Sequence, residues 1–415
     1  MILRARAIWP RKGCVLEDAA LKMCGDSICA VGRVNEIQPN VDEPVVDLGN
    51  SILFPAFVNA HCHLDYTGLA GELTPEKSFA EWVQQIVSIK RELTQEDHET
   101  AWFDGAQMLL RSGCGTVANI ESVPKLFARL AGQTPLQVCP FTELIGFHEG
   151  DEGDLLDLAR REMTNNSPFA LVAGLSPHSP YTTTPASLSA LSCFADEREI
   201  PVTIHAGESE DEWRMFTEGV GPLHDSMGEL GRTLEDCGEY SPVEHIRRSG
   251  GLAKRTLLVH VNYLGNGDID TLAKPGMSVV HCPLSSAWFG HSKFEYERLA
   301  KAGVNVCLGT DSLASSGRDA AELNMFREMR EFCERYPNVS ADIVIEMATA
   351  NGAEALGLEA TLGQLREGAQ ANIAVIPYEN PQVSVSESIV NHVGPVGSLI
   401  IAGKRVFSGA RSIAN

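Results

Sequence analysis

The stretch ILFPAFVNAH (52–61) runs through apolar residues to a histidine and reads as the first of eight strands in the middle of the chain. Seven similar runs follow: GTVANI (115–120), LQVCPFTEL (136–144), FALVAGLS (169–176), PVTIHA (201–206), TLLVHV (256–261), MSVVHC (277–282) and VNVCLGTD (304–311). Most precede stretches with helical periodicity, such as SLSALSCFADERE, HIRRSGGLAKR and AAELNMFREMREFCERY. Strands that are apolar on both faces and alternate with helices imply a parallel sheet, and eight such units imply a closed barrel. The expected fold is therefore α/β, a (β/α)8 TIM barrel over residues 56–359.

The two ends of the chain look different from its middle. MILRARAIW, SICAVG and EPVVDLG at one end, and ANIAVIP and SLIIAGKRVFSG at the other, are short β-type runs separated by Gly, Asp and Pro. Residues 1–55 and 360–415 are expected to combine into one small β-sandwich domain beside the barrel.

Composition narrows the function classes. With 415 residues, 44% of them hydrophobic, the chain can bury a large core. A formal net charge of −22 disfavours binding to nucleic acid or to an anionic membrane surface. Eleven cysteines, with no CxxC pair and only Cys24 and Cys29 close together, read as reduced thiols of a cytoplasmic protein. No signal-type or membrane-spanning apolar run is apparent.

Five of the twelve histidines, His61, His63, His205, His260 and His281, fall at or near the C-terminal ends of expected strands, and Asp311 ends the eighth. Active sites of such barrels lie at that face. His61 and His63 are two apart on a strand, so both project to one side while Cys62 projects to the other. Two imidazoles so placed can share a divalent ion; His205 adds a third nitrogen and Asp311 an oxygen. One Zn²⁺ suits this set, with Fe²⁺ or Mn²⁺ as alternatives that nitrogen and oxygen ligands do not strongly exclude.

PAFVNAHCHLD, IHAGES, LLVHV, VVHCPLSS and LGTDSLAS occur in this order, and together with GQLREGAQANIAVI they resemble the amidohydrolase superfamily over nearly the whole chain. The resemblance is closest to the branch holding adenosine, S-adenosylhomocysteine, methylthioadenosine and aminodeoxyfutalosine deaminases together with triazine chlorohydrolases. It implies that His61, His63, His205 and Asp311 bind the metal. It also implies that Glu208 shuttles a proton and that His260 contacts the nucleophilic water. Asp311 would take that water's proton, and Glu208 would protonate a ring nitrogen beside the amine-bearing carbon. FALVAGLSPH has no lysine of the kind that bridges two metals in binuclear relatives, so one ion is expected. Some triazine hydrolases of the branch lack the glutamate, so its presence here favours deamination.

The same resemblance suggests substrate contacts. KSFAEWVQQIV is a candidate lid helix in which Glu81 matches a glutamate that binds ribose hydroxyls, and Trp82 is placed to stack on a base. His178 in SPHSPYTTTP matches a substrate-contacting histidine, and His281 is a further candidate. HCPLSSAWFGH departs from the asparagine-containing pattern of many relatives, which leaves the contacts around Trp288, Phe289 and His291 open. The expected enzyme is a hydrolytic deaminase of an adenine-type nucleoside, a small heterocycle. The alternative is hydrolysis of another C–N or C–Cl bond on a heterocycle. Relatives are often oligomers, so a homodimer is the default assembly.

Overall fold

Residues 52–61, read above as one strand, divide between two sheets. The computed structural model describes residues 1–74, 78–316 and 322–409. From the N-terminal part come β1 (Ile2–Arg11), β2 (Cys14–Cys24), β3 (Ser27–Arg33), β4 (Val45–Asp47) and β5 (Ser51–Pro55). The barrel strands are β6 (Phe57–Cys62), β7 (Cys114–Glu121), β8 (Gln137–Leu144), β9 (Gly174–Pro177), β10 (Val202–Ala206), β11 (Thr256–His260), β12 (Met277–His281) and β13 (Asn305–Leu308). β14 (Ile373–Pro377), β15 (Ser398–Ile401) and β16 (Lys404–Ser408) complete the terminal sheet. Pro55 ends the strand of one sheet, and Ala56 leads directly into the first strand of the other.

The terminal strands form one mixed sheet in the order β16-β15-β14-β5-β1-β2-β3, with β4 beside β1. Its alternation explains its place. Ile52, Phe54, Ala374, Ile376, Leu399 and Ile401 join the core shared with the barrel helices, whereas Leu53, Ile373, Val375 and Ile400 pack within the sheet's own core. The Trp9 indole donates to Asp342 Oδ1 at 2.5 Å and ties β1 to a barrel helix. Cys24 and Cys29, expected to be thiols, form a disulfide across the β2–β3 hairpin with a Cα separation of 5.9 Å, a spacing that suits the bond. The other nine cysteines are free.

The eight barrel strands run parallel in sequence order from β6 to β13. Val58, Ala60, Ile120, Phe141, Leu257, Val259, Val280 and Cys307 fill the interior. Ala353, Leu356 and Leu362 join that interior core; the segment carrying them meets the starts of β6 and β13, where Asn351 donates to Val306 O at 2.8 Å. One end of the barrel is therefore plugged, and the C-terminal end is left for polar residues. The seam between β6 and β13 closes there: Thr310 N–H donates to His61 O at 3.0 Å, and Asn59 Nδ2 to Thr310 Oγ1 at 2.7 Å. Gly309 is required at the seam, because a Cβ there would meet the His61 Cβ and carbonyl oxygen at 2.9 Å.

The expected runs overreach in places. FALVAGLS contributes a strand only from Gly174; Phe169 and Leu171, 61% and 45% exposed, stay outside it. HIRRSGGLAKR is helical only to Arg248, stopping just before Gly250 adopts a φ of +69°. Among the described residues, no helix is long and apolar enough to cross a membrane.

Candidate active site

Each polar residue reaches the barrel mouth by a local backbone device. In β6 the register shifts between Asn59 and Cys62, three steps on this strand opposing two on β7. The inserted residue re-aims the strand end: Cys62 joins the outer core, and His61 and His63 turn inward, 4.9 Å apart between ring centres. In β10, Val202, Ile204 and Ala206 face the helices, so His205 faces the interior by alternation. His260 lies out of phase, since Leu257 and Val259 already point inward. It enters the mouth because its φ is +73° and Val261 N–H bonds back to Val259 O at 3.1 Å, a γ-turn centred on His260. Val261 and Asp311, with φ of +49° and +55°, are further non-glycine residues held left-handed at this rim. Such backbone strain is concentrated at functional sites.

His61 Nε2 lies 3.3 Å from His205 Nε2 and 3.6 Å from Asp311 Oδ1, and His63 Nε2 lies 3.8 Å from the same oxygen. The donor atoms of His61, His63 and His205 all fall within 4.8 Å of one another, as do those of His61, His260 and Asp311. His205 Nδ1 donates to His178 O at 2.7 Å, which leaves Nε2 as a bare acceptor facing a second imidazole nitrogen. Burial and neighbouring histidines hold the His63 and His205 imidazoles well below the usual range, so both are neutral. Burial alone would raise Asp311, but contact with His61 and the nearby imidazoles keep it ionised. Converging imidazole nitrogens and one carboxylate fit a divalent cation.

Glu208 is buried beside this cluster, with Oε1 3.6 Å from His260 Nε2. Burial, then Asp311 and Glu212, push its carboxyl well above the usual range, which favours the protonated form. Burial likewise keeps His260 neutral.

Other expected contacts divide. The His178 ring sits 4.9 Å from that of His205, its Nδ1 within 2.8 Å of Thr182 Oγ1. Trp82 packs against Phe79 and Phe289 at 5.6 and 5.0 Å. Glu81 is exposed on the first turn of the helix Phe79–Lys90, its N–H donating to the Ser78 hydroxyl. His281 turns away from the mouth: Val280 and Cys282 face the interior, while its ring stacks on Phe294 at 4.1 Å and meets Phe332 edge-on.

Sequence reasoning missed three residues that hold the others in place. Ser285 donates to Asp311 Oδ2 at 2.6 Å, which turns Oδ1 toward the histidines. Glu212 accepts the N–H groups of Gly207 and Glu208 at 3.0 and 2.8 Å. Asn262 donates to Glu208 O at 3.0 Å, so the segment carrying Glu208 is gripped from both sides. The S-x-x-E spacing of Ser209 and Glu212 was a visible signal of a helix start. Here the glutamate reaches past the cap residue to the two peptides before it.

The sequence profile of the amidohydrolase family matches residues 52–406. The aminodeoxyfutalosine deaminase of Deinococcus radiodurans is 27% identical over 369 residues, covering 86% of this chain and 85% of that protein. The 5-methylthioadenosine/S-adenosylhomocysteine deaminase of Halobacterium salinarum is 30% identical over 380 residues, covering 88% and 81%. Among solved structures, the Helicobacter pylori aminofutalosine deaminase in complex with methylthio-coformycin superposes with a TM-score of 0.85 at 21% identity, covering 98% of this chain and 100% of that one. The zinc complex of an Arthrobacter aurescens atrazine chlorohydrolase superposes at 0.82 with 19% identity, covering 100% and 97%, so fold alone does not separate the two chemistries. With the profile spanning most of its length, this chain belongs to the amidohydrolase family and is a metal-dependent hydrolase acting on carbon–nitrogen bonds.

Proposed function

We propose that this enzyme hydrolytically deaminates an adenine-type nucleoside of the kind named by its relatives: aminodeoxyfutalosine, S-adenosylhomocysteine or methylthioadenosine. The observation that carries the reading is Glu208, a buried carboxyl 3.6 Å from His260 at the edge of a three-histidine, one-aspartate cluster. His61, His63, His205 and Asp311 would hold one divalent ion, with zinc proposed as native and iron or manganese as alternatives. When bound, the ion supplies Lewis-acid activation of water near neutral pH.

The chain's own residues supply the rest. Glu208 gives its proton to the ring nitrogen next to the amine-bearing carbon, which makes that carbon more electrophilic. His260 orients the attacking water, and Asp311 takes a proton from it. The proton held by Asp311 then passes to the amine, which leaves the tetrahedral carbon as ammonia, while the hydroxyl proton returns to Glu208 and a carbonyl remains on the ring. His178, with Nδ1 occupied by Thr182, offers Nε2 to the substrate.

The test is ammonia release, with loss of adenine absorbance, from a panel of aminopurine nucleosides and chlorinated triazines using metal-replete protein. Ammonia from the nucleosides is expected. Chloride release from a triazine, with no nucleoside turned over, would replace deamination by the alternative reading. Reconstitution of chelator-treated protein with zinc, iron or manganese separates the three ions.

A further inference from the structure

The three histidines of the cluster are aimed in different ways. His205 is oriented through its ring, since Nδ1 donates to His178 O at 2.7 Å. Nδ1 of His61 and Nδ1 of His63 are both buried without a hydrogen-bond partner among the described residues. His61 lies inside β6, and its carbonyl accepts from Thr310 and Asp311 across the barrel seam at 3.0 and 3.1 Å. His63 lies one residue beyond the end of that strand. The chain that follows it has to supply the hold.

The end of β7 grips that chain. Leu64 N–H donates to Asn119 Oδ1 at 2.8 Å, and the Ser122 hydroxyl donates to Asp65 Oδ2 at 2.5 Å. Ala118 and Ile120 face the barrel interior, so Asn119 and Glu121 face the layer between barrel and helices, with Val117. Both polar residues are buried there, where an unmade hydrogen bond is costly. Asn119 Nδ2 donates to Glu121 Oε1 at 2.7 Å, and Trp102 Nε1, from the helix Gln95–Arg111, reaches the same oxygen at 3.5 Å. The carboxyl oxygen thereby fixes the sense of the amide: the NH2 is engaged, and the amide oxygen is left for Leu64 N–H. Tyr66 covers the imidazole from one face, its ring 5.2 Å from that of His63 and within 9° of parallel. The Tyr66 hydroxyl is held in turn by Lys90 Nζ, at the end of the helix Phe79–Lys90.

We infer that Asn119, aimed by Glu121, is a positioning residue for His63: it fixes the chain from which the imidazole projects, and through that chain it sets the affinity of the cluster for its metal ion. Neither residue touches the cluster. The Leu64 peptide is joined directly to His63, so releasing its N–H frees the main chain that carries the ring. Ligand distances tolerate shifts of only about 0.2 Å, and groups that orient ligands typically account for roughly 10–100-fold in metal affinity. The assignment rests on the reading of His63 as a ligand and extends it to the residues that make it one.

The experiment measures zinc affinity, by competition with a chromophoric chelator, for wild type, Asn119→Ala, Glu121→Leu, Glu121→Gln and His63→Ala. Asn119→Ala should weaken zinc binding by about tenfold or more. Glu121→Leu removes the acceptor that aims the amide and should lose affinity in the same way. Glu121→Gln keeps an oxygen for the Asn119 NH2 and should recover most of that loss. The visible absorption of the cobalt-loaded protein, which reports ligand geometry, should change in Asn119→Ala and stay as in wild type in Glu121→Gln. Wild-type zinc affinity with an unchanged cobalt spectrum in Asn119→Ala would overturn the inference, as would equal losses in the two Glu121 variants. If Asn119→Ala does not fold without metal, the Glu121 pair decides on the same terms. If His63→Ala binds zinc as tightly as wild type, the ligand reading fails, and hydrogen exchange of the metal-free protein decides the positioning separately. Faster exchange at Leu64 in Asn119→Ala, with Gly309–Asp311 unchanged, upholds it; exchange unchanged at Leu64, or faster everywhere, sinks it.

Discussion

The ends of β11 and β12 carry the same kind of residue in opposite roles. The strands pair in parallel with Val259 opposite Val280, so His260 and His281 occupy equivalent positions one step further on. Continued alternation would send both outward, because Val259 and Val280 already face the interior. His281 obeys and stacks on Phe294 in the layer between barrel and helices. His260 does not, because a γ-turn reverses its direction and brings it within 5.5 Å of the His205 ring. Local backbone strain of roughly 1–3 kcal/mol converts a packing position into a site position. Position at a strand end is thus insufficient to assign a role; the phase of the alternation decides.

The mouth-facing set should fail first and furthest. His61→Ala or Asp311→Ala should drop metal content from near one ion per chain to near zero, with activity following it. Elemental analysis of the purified variants decides this, and two tightly bound ions in wild type would contradict the single-site arrangement. His260 sharpens the boundary, because its nitrogen also lies within ligating range of His61 and Asp311. His260→Ala should keep the metal yet lose roughly 10²–10⁴-fold in kcat, the usual range for removing a group that handles protons. Loss of more than half the metal in that variant would make His260 a ligand instead.

Glu208→Gln should fall in the same range with metal retained. It also carries a pH signature. The wild-type carboxyl is held above its usual range by burial and by Asp311, and in the proposed scheme its protonated form is the donor. Activity should therefore persist at low and neutral pH and fall as pH rises through the elevated value. That alkaline limb should be missing from the residual activity of Glu208→Gln. An unchanged limb would assign it to another group.

The contrast also marks what could be read before the structure. The eight strands were legible because short β-branched and aliphatic runs, each bounded by turn residues, alternate with helical periodicity. The pairing of His61 with His63 was legible because the strand period is two, although the bulge that aims them inward was not. The division at Ala56 was hidden because Pro55 interrupts no apolar run, and both neighbouring sheets bury both faces there. The bond between Ser285 and Asp311 and the grip of Glu212 on Gly207 and Glu208 depend on how loops from different strands meet. No local pattern encodes that meeting. His260 and His281 share a strand-end position, and no local pattern marks the turn that separates their directions.

The smallest expected effect belongs to His281, and it tests the comparison most directly. Both of its ring nitrogens are buried without partners, and its ring lies parallel to Phe294. His281→Phe keeps the stacked shape and removes two unsatisfied polar atoms, so stability at pH 7 should stay within about 1 kcal/mol of wild type or rise. Burial, then His260 and Arg335, push the wild-type imidazole down to about 3. A histidine lowered on folding contributes stability that is present above its unfolded value near 6.5 and is lost as pH falls toward the folded value. Below pH 6.5 the variant's advantage should therefore grow, on the order of 1 kcal/mol per pH unit, because phenylalanine has no proton to gain. Urea melts at pH 7, 6 and 5 measure this, and turnover on the preferred nucleoside should change by less than about threefold. A large loss of activity with metal and stability intact would place His281 against the substrate, and the distinction drawn between β11 and β12 would fail.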